Sequence, residues 1–419
     1  VVVRASLIFV VAVVAACGGS SMKDNGSIDT SIIISGAQGA SADDPTLAVS
    51  TTGDVLLAWS SIYGGGSSSF GYAWSRDRGA SWARSRTLGA PLEFASEQNA
   101  LADADGNFYL LVMAADAPQI DSQVYFASAR AGGSFGSLNA IGDQSASAYR
   151  ASSSFALSKD GSLNASWNET DSDSGTSNIV TARSTDKGAT WTTTTITATP
   201  GAFSGAYVCA SPMNDRIVVV FTDTMSYAFD VRWSEDDGAT WPADNARTLS
   251  LNPVGDPIEA PTCLLGAPDL WILAAVSTDA PNTLNGDVAD KLALIHSSDG
   301  GMSFGAAVPV QDPTVGPNYA GVHAFLQSGD GISLAYYAGS STTDSSVRYA
   351  HSVDGGQTFG ASIGVYAPVA PTAVPPVDFE TPPTWVSGLA IVDDPSGVFL
   401  AYEDGVDPGT NLRVSRRTP

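Results

Sequence analysis

Ser75-Arg76-Asp77-Arg78-Gly79-Ala80-Ser81-Trp82 reads Ser-x-Asp-x-Gly-x-Ser-Trp, and the same eight-residue phrase returns along the chain. Residues 184–191 and 234–241 are clean copies, and residues 297–304 and 352–359 keep the pattern with Phe in the aromatic slot. A worn copy at 128–135 has lost its Asp. The leading serines stand at 75, 128, 184, 234, 297 and 352, so the steps are 53, 56, 50, 63 and 55 residues. A period of that size marks a repeat architecture.

The octad has a local physical logic. An Asp carboxylate accepts hydrogen bonds from N–H groups of its own turn, and Gly two positions on supplies a positive φ. The following Ser/Thr can add a side-chain bond, and the aromatic is expected to pack back on its own hairpin. Asp77, Asp186, Asp236, Asp299 and Asp354 therefore read as structural residues, since five repeated copies cannot line one site.

The chain has 419 residues, with 43% hydrophobic and 15% charged side chains, 42 Gly and 23 Pro. Such a composition fits many short strands and turns. With 19 basic residues against 43 acidic ones, the formal charge of −24 argues against a nucleic-acid partner and against a peripheral grip on anionic lipid.

Residues 1–17 read as a secretory leader: Arg4, an apolar run from Leu7 to Val14 too short to span a bilayer, then small residues. Val14-Ala15-Ala16-Cys17 resembles the bacterial lipobox, with Cys17 as the lipidated first residue of the mature chain. The resemblance implies an exported outer-membrane lipoprotein, Gly18 rather than Asp following the cysteine. Residues 18–28 form a polar, flexible tether, and residues 29–419 hold the repeats.

Each repeat has one grammar: a strand, a tight turn, a second strand, a polar loop, a third strand, the octad and a fourth strand. Seven first turns can be counted against six octads. The last repeat, with strands near 385–392, 398–403 and 411–416, ends without its fourth strand, while Ile32-Ile33-Ile34 is a β-branched strand with no repeat of its own. Both leftovers are explained if the N-terminal strand completes the last sheet. Radial repetition of four-stranded antiparallel sheets is a β-propeller; the expected fold is all-β with seven blades, six blades plus an irregular end being the alternative.

The octad at this spacing resembles the Asp-box (BNR) repeat of the sialidase-like superfamily, over residues 29–419. The resemblance implies a propeller whose boxes join third to fourth strands on the face away from the active site. It also implies, for the sialidases, an arginine triad, a Tyr/Glu pair and an acid/base Asp, since a substrate carboxylate needs fixed cations and a phenol nucleophile needs a base. No Arg-Ile-Pro occurs, and Arg150 is the one Arg in a segment leading into a first strand. Most other arginines lie in or beside octads and outer strands.

On the opposite face, the mouth, fall Glu93, Glu97, Tyr149, Arg150, Tyr207, Asp256, Glu259, Asn318, Tyr319, Asp378 and Glu380. Glu97, Arg150, Glu259 and Tyr319 are the candidate catalytic or ligand-binding residues. A glycosidase would need two carboxyl groups about 5–9.5 Å apart; solvated loop acids are the plainer account. Asp171-Ser172-Asp173-Ser174-Gly175 resembles an oxygen-rich Ca²⁺ loop but lacks the third acid and distal Glu, so it reads as a polar loop. Asp103-Ala104-Asp105-Gly106-Asn107 falls on the shared first-turn position and reads as a turn. No cofactor is required and no metal-ligand cluster stands out. Cys209 and Cys263 share a register in successive repeats, which allows either a disulfide or two buried thiols.

Three functions remain: a monomeric, lipid-anchored propeller binding a glycan or protein or acting as an envelope scaffold; a glycoside hydrolase other than a sialidase; and an exo-α-sialidase with a displaced triad.

Overall fold

In the computed structural model of the chain, the residues described are 32–34, 40–63, 68–92, 94–115, 122–142, 148–197, 199–251, 256–257, 261–266, 268–277, 291–310, 318–326, 331–339, 346–366, 389–394, 397–403 and 412–417. The leader, Cys17 and the tether lie outside them.

Seven antiparallel sheets account for these residues. Blade 1 contains Ala40–Val49, Val55–Tyr63, Ser68–Ser75 and Arg86–Leu92; blade 2 contains Phe94–Ala102, Asn107–Ala115, Ser122–Arg130 and Asn139–Ala140. Blade 3 contains Ala148–Leu157, Leu163–Asp171, Ser177–Ser184 and Thr192–Thr195; blade 4 contains Phe203–Ala210, Ile217–Asp223, Ala228–Ser234 and Ala246–Ser250. In blade 5 the first strand is split into Asp256–Pro257 and Thr262–Leu265, followed by Leu270–Ser277, Lys291–Ser297 and Val308–Val310. Blade 6 contains Asn318–Leu326, Ile332–Gly339, Ser346–Ser352 and Ile363–Tyr366. Blade 7 contains Leu389–Asp394, Gly397–Glu403 and Leu412–Arg417, and its outer strand is Ile32–Ile34. Ile32, Ile33 and Ile34 pair with Val414, Arg413 and Leu412, so the two ends of the chain share one sheet. Each first strand touches the next, and that of blade 7 touches that of blade 1, closing the ring. This is a seven-bladed β-propeller; the six-bladed alternative is excluded by the count of sheets.

Why the ring closes can be read in the second strands. Val55, Leu57 and Trp59 face blade 7, whereas Leu56 and Ala58 face blade 2. Both sides of a blade are buried, so the strands read as near-continuous apolar runs. Seven separate apolar clusters result, one for each neighbouring pair of blades. Each large side chain buried there contributes roughly 1.5–3 kcal/mol.

The five intact octads share one hydrogen-bond pattern. In residues 184–191, the Ser184 hydroxyl donates to Asp186 Oδ1 at 2.8 Å and accepts from Gly188 N at 2.8 Å. The Thr190 N–H donates to Asp186 Oδ1 at 2.8 Å and its hydroxyl to Oδ2 at 2.6 Å. The same four bonds recur around Asp77, Asp236, Asp299 and Asp354. Glycine in the fifth slot has positive φ throughout, and so does the residue before it: Arg78, Lys187 and Asp237 at 55°, 59° and 62°, Gly300 and Gly355 at 72° and 71°. The two Phe-type octads place glycine at both strained positions.

One expectation is corrected. The octad aromatic packs between blades rather than on its own hairpin alone. Trp82, Trp191, Trp241, Phe304 and Phe359 each pack into the cluster shared with the preceding blade. The corner carbonyls are likewise used by that neighbour. Trp74 Nε1 donates to Gly133 O at 3.0 Å, Arg183 Nε to Asp237 O at 2.6 Å, Arg216 Nη1 to Asp299 O at 3.1 Å and Trp271 Nε1 to Gly355 O at 2.9 Å. Many arginines absent from the mouth are thus holding the octad face together. The corner is itself pressed against its neighbour: a Cβ on Gly188 would lie 2.0 Å from the Phe126 ring of blade 2.

Hydrogen bonds from the Thr190 and Ser303 hydroxyls and N–H groups hold the Asp186 and Asp299 carboxyls down to about 2. Asp77 and Asp354 are lowered by the equivalent bonds from Ser81 and Thr358; at Asp236 burial opposes those bonds without reversing the direction. A folded pKa below the unfolded value means stability that is complete above about pH 4 and is lost as pH falls through the folded pKa. Asp186→Ala is therefore expected to lower the melting midpoint at pH 7, by on the order of 1 °C in a chain of this length. The gap from wild type should narrow between pH 4 and pH 2, which calorimetry at stepped pH measures. Removing residues 1–34 should leave Leu412–Arg417 as an open edge. A lower melting midpoint and self-association in light scattering are the expected readouts.

Candidate functional site

The mouth lies at the ends of the blades opposite the octads, where fourth strands lead into first strands and second strands into third. The first strands reach it through a shared irregularity. Asp43 and Thr46 lie opposite Ser60 and Ala58, so blade 1 holds one more residue than its partner strand. Blade 3 repeats this between Ala151 and Ser154, blade 4 between Ser204 and Tyr207, and blade 6 between Ala320 and His323. In blade 2 the extra residue is Glu97 itself, between Ser96 and Gln98. Blade 5 breaks its ladder between Pro257 and Thr262. Such bulges bend a strand and re-aim a side chain. Asp44, Ser152 and Gly205 take the left-handed conformation at these bulges, with φ of 53°, 55° and 64°.

Glu97 occupies the bulge of blade 2, and Glu259 lies outside the described residues. Glu93, Asp378 and Glu380 are also outside them. Tyr319 and Asn318 pair with Ala338 and Gly339 at the mouth end of blade 6, and Asp256 pairs with Ser277. Asp44 was missed from sequence: it is a buried carboxylate in a left-handed bulge of blade 1. The signal was present, because Asp43-Asp44-Pro45 breaks the apolar alternation, but it reads as a turn. The strand continues through it, from Ala40 to Val49.

Arg150 is 1% exposed. Its Nε meets Glu169 Oε2 at 2.9 Å, on the residue directly across the ladder. Nη1 donates to Ser122 O and Ala148 O, each at 3.4 Å. The Arg150 N–H donates to Ser122 Oγ at 2.8 Å, and that hydroxyl donates to Arg150 O. The guanidinium thus joins blades 2 and 3. Tyr149, its neighbour, is turned outward at 39% exposure.

Polar side chains also stitch the inner strands. Thr46 Oγ1 accepts from Ala100 N at 3.1 Å, Asn99 Nδ2 donates to Ser153 O at 3.0 Å, and Ser154 Oγ accepts from Val208 N at 2.6 Å. Between blades 4 and 5 the stitch is covalent. Cys209 and Cys263 form a disulfide with Cα atoms 6.0 Å apart, which decides between the two arrangements left open by the sequence. It spans the interface where the inner strand of blade 5 is interrupted.

The acidic turns are closed on themselves. Asp171 Oδ1 accepts from Asp173 N at 3.0 Å and Ser174 N at 2.7 Å. Asp103 accepts from Asp105 N, Asn107 N, Asn107 Nδ2 and the Tyr109 hydroxyl at 2.5–3.0 Å. Burial raises the Asp103 carboxyl, but the bonds from Tyr109 and Asn107 outweigh it and the net direction is down. Among the described residues no group of three His, Cys, Asp or Glu side chains gathers as a metal site. His296 bonds Asp269 at 2.7 Å and stacks on Trp271; His351 bonds Ser333 at 3.0 Å.

No family model matches the sequence, and no curated protein matches it. Solved structures similar in outline include the NanB sialidase from Streptococcus pneumoniae, with TM-score 0.45, 14% identity and coverage of 92% of this chain and 70% of that one. Trypanosoma rangeli sialidase aligns with TM-score 0.49 and 11% identity over 94% of this chain and 60% of its own length. A protein of unknown function from Dyadobacter fermentans aligns with TM-score 0.47 and 14% identity over 95% and 100%. The fold is established by strand order and ring closure, not by these likenesses.

Cross-linking residues 54 apart removes loop entropy from the unfolded chain, a stabilisation of about 4 kcal/mol. Cys209→Ala/Cys263→Ala is accordingly expected to unfold at lower denaturant, with the largest gain in hydrogen exchange across blades 4 and 5. Intact mass without reductant should lack two hydrogens at this pair.

Proposed function

We propose that the chain is an exported, lipid-anchored propeller that binds a glycan or a protein at its mouth, or scaffolds the envelope, without cleaving sialosides. On this reading the octads are Asp boxes of the sialidase-like superfamily, kept for their architectural role. The observation that carries the reading is the state of Arg150. A carboxylate clamp needs guanidinium groups open to the substrate, and Arg150 is 1% exposed, with its charge met by Glu169. The disulfide supports an oxidising compartment, in keeping with the leader and the lipobox-like Cys17. The bulged ends of the inner strands, among them those at Asp44 and Ser152, are the proposed place of binding. The protein acts as a monomer and needs no cofactor.

The test is a panel of fluorogenic glycosides, including a sialoside, run with the purified domain and with Glu97→Gln and Arg150→Ala. No turnover is expected from any of the three, while a glycan array or envelope-protein pull-down should show retention at the mouth. Sialoside hydrolysis that disappears in Arg150→Ala would overturn the proposal.

A further inference from the structure

The outer strand of blade 7 has a direction, and that direction locates the tether. Leu412–Arg417 is a third strand and runs from the mouth toward the octad face, its end pairing beside Val398 at a first turn. Ile32 lies opposite Val414 and Ile34 opposite Leu412, so the N-terminal strand runs the other way. The chain preceding Ile32 therefore arrives from the octad face. From Cys17 to Ile32 there are fifteen residues, a reach of at most about 50 Å.

That face also has the charge pattern suited to a lipid surface. Arg76 pairs with Asp54, Lys159 with Asp215, Arg183 with Asp237, Lys187 with Asp105 and Arg216 with Glu235, all beside octads or first turns. Arg76, Lys187 and Lys159 remain 67%, 52% and 41% exposed. These pairs reduce headgroup repulsion, felt over a Debye length of about 8 Å, on the octad side. Met213, Met302 and Val353, in the first turn of blade 4 and the octads of blades 5 and 6, are exposed on this same face. They offer apolar contact to the headgroup boundary.

We infer that the octad face is turned toward the bilayer and that the mouth is presented away from it. The inference depends on Cys17 being lipidated, as proposed above. It gives the propeller a fixed polarity: the welded face seats on lipid, and the bulged, bond-forming ends of the inner strands look outward to a partner.

The experiment uses the full acylated chain on phosphatidylethanolamine/phosphatidylglycerol vesicles carrying a trace of rhodamine lipid. A donor dye is placed at Gln357→Cys on the octad face or at Ser172→Cys on the mouth turn of blade 3, both exposed positions. Strong loss of donor emission from Gln357→Cys and little from Ser172→Cys is expected. Intact mass reports the lipid on Cys17, and Cys17→Ala should not bind the vesicles. An acylated protein with equal transfer from both positions, or more from Ser172→Cys, overturns the orientation alone. A chain without lipid on Cys17 overturns the anchor and the orientation together.

Discussion

A doubly left-handed corner, closed by one carboxylate, is the constraint on which the ring depends. Two successive residues with positive φ turn the backbone so that its carbonyls point toward the preceding blade, and the Asp immediately before them bonds the far side of the same corner. Without the carboxylate the strained pair keeps only the Ser hydroxyl's bond to the glycine N–H and the donors of the neighbouring blade. With it, the corner becomes a rigid ledge onto which the neighbour lays an arginine, an indole or a phenyl ring. Asp237 shows how far this goes: its backbone oxygen and carboxylate both receive Arg183 of blade 3.

Closure follows from burial on both faces of each sheet. A blade alone would expose two apolar sides, so the stable arrangement is one in which every blade has two neighbours. Seven apolar interfaces supply the non-directional part of the stability, and the octad corners supply register. Where the interior weakens, at the split strand of blade 5, the Cys209–Cys263 bond ties it to blade 4.

The two faces consequently differ in chemical freedom. On the octad face, donors and acceptors are spent on holding blades together. At the mouth, the inner strands leave regular pairing at their bulges, where Asp44 and Ser152 take the left-handed conformation. Arg150 is the exception, a mouth residue consumed by architecture. Its Glu169 and Ser122 partners make it a rivet between blades 2 and 3 and take it out of contention as an open clamp.

Much of this is legible in the residues alone, because the interactions concerned are local. Ser184, Asp186, Gly188 and Thr190 bond within a span of seven positions, so the corner, its repetition and the number of blades can be read along the chain. The orphan Ile32–Ile34 strand and the missing fourth strand of the last repeat likewise announce the closure. What only the tertiary structure decided involves residues far apart along the chain, 28 positions for Ser122 and Arg150 and 54 for Cys209 and Cys263. The direction of the octad aromatics, the burial of Arg150 and the pairing of Cys209 with Cys263 all depend on a neighbouring blade, and the bulge at Asp44 on the paired second strand. A tryptophan carries no mark saying which of two sheets it will cover, and Asp43-Asp44-Pro45 has the composition of a turn until an adjacent strand forces it to continue as one.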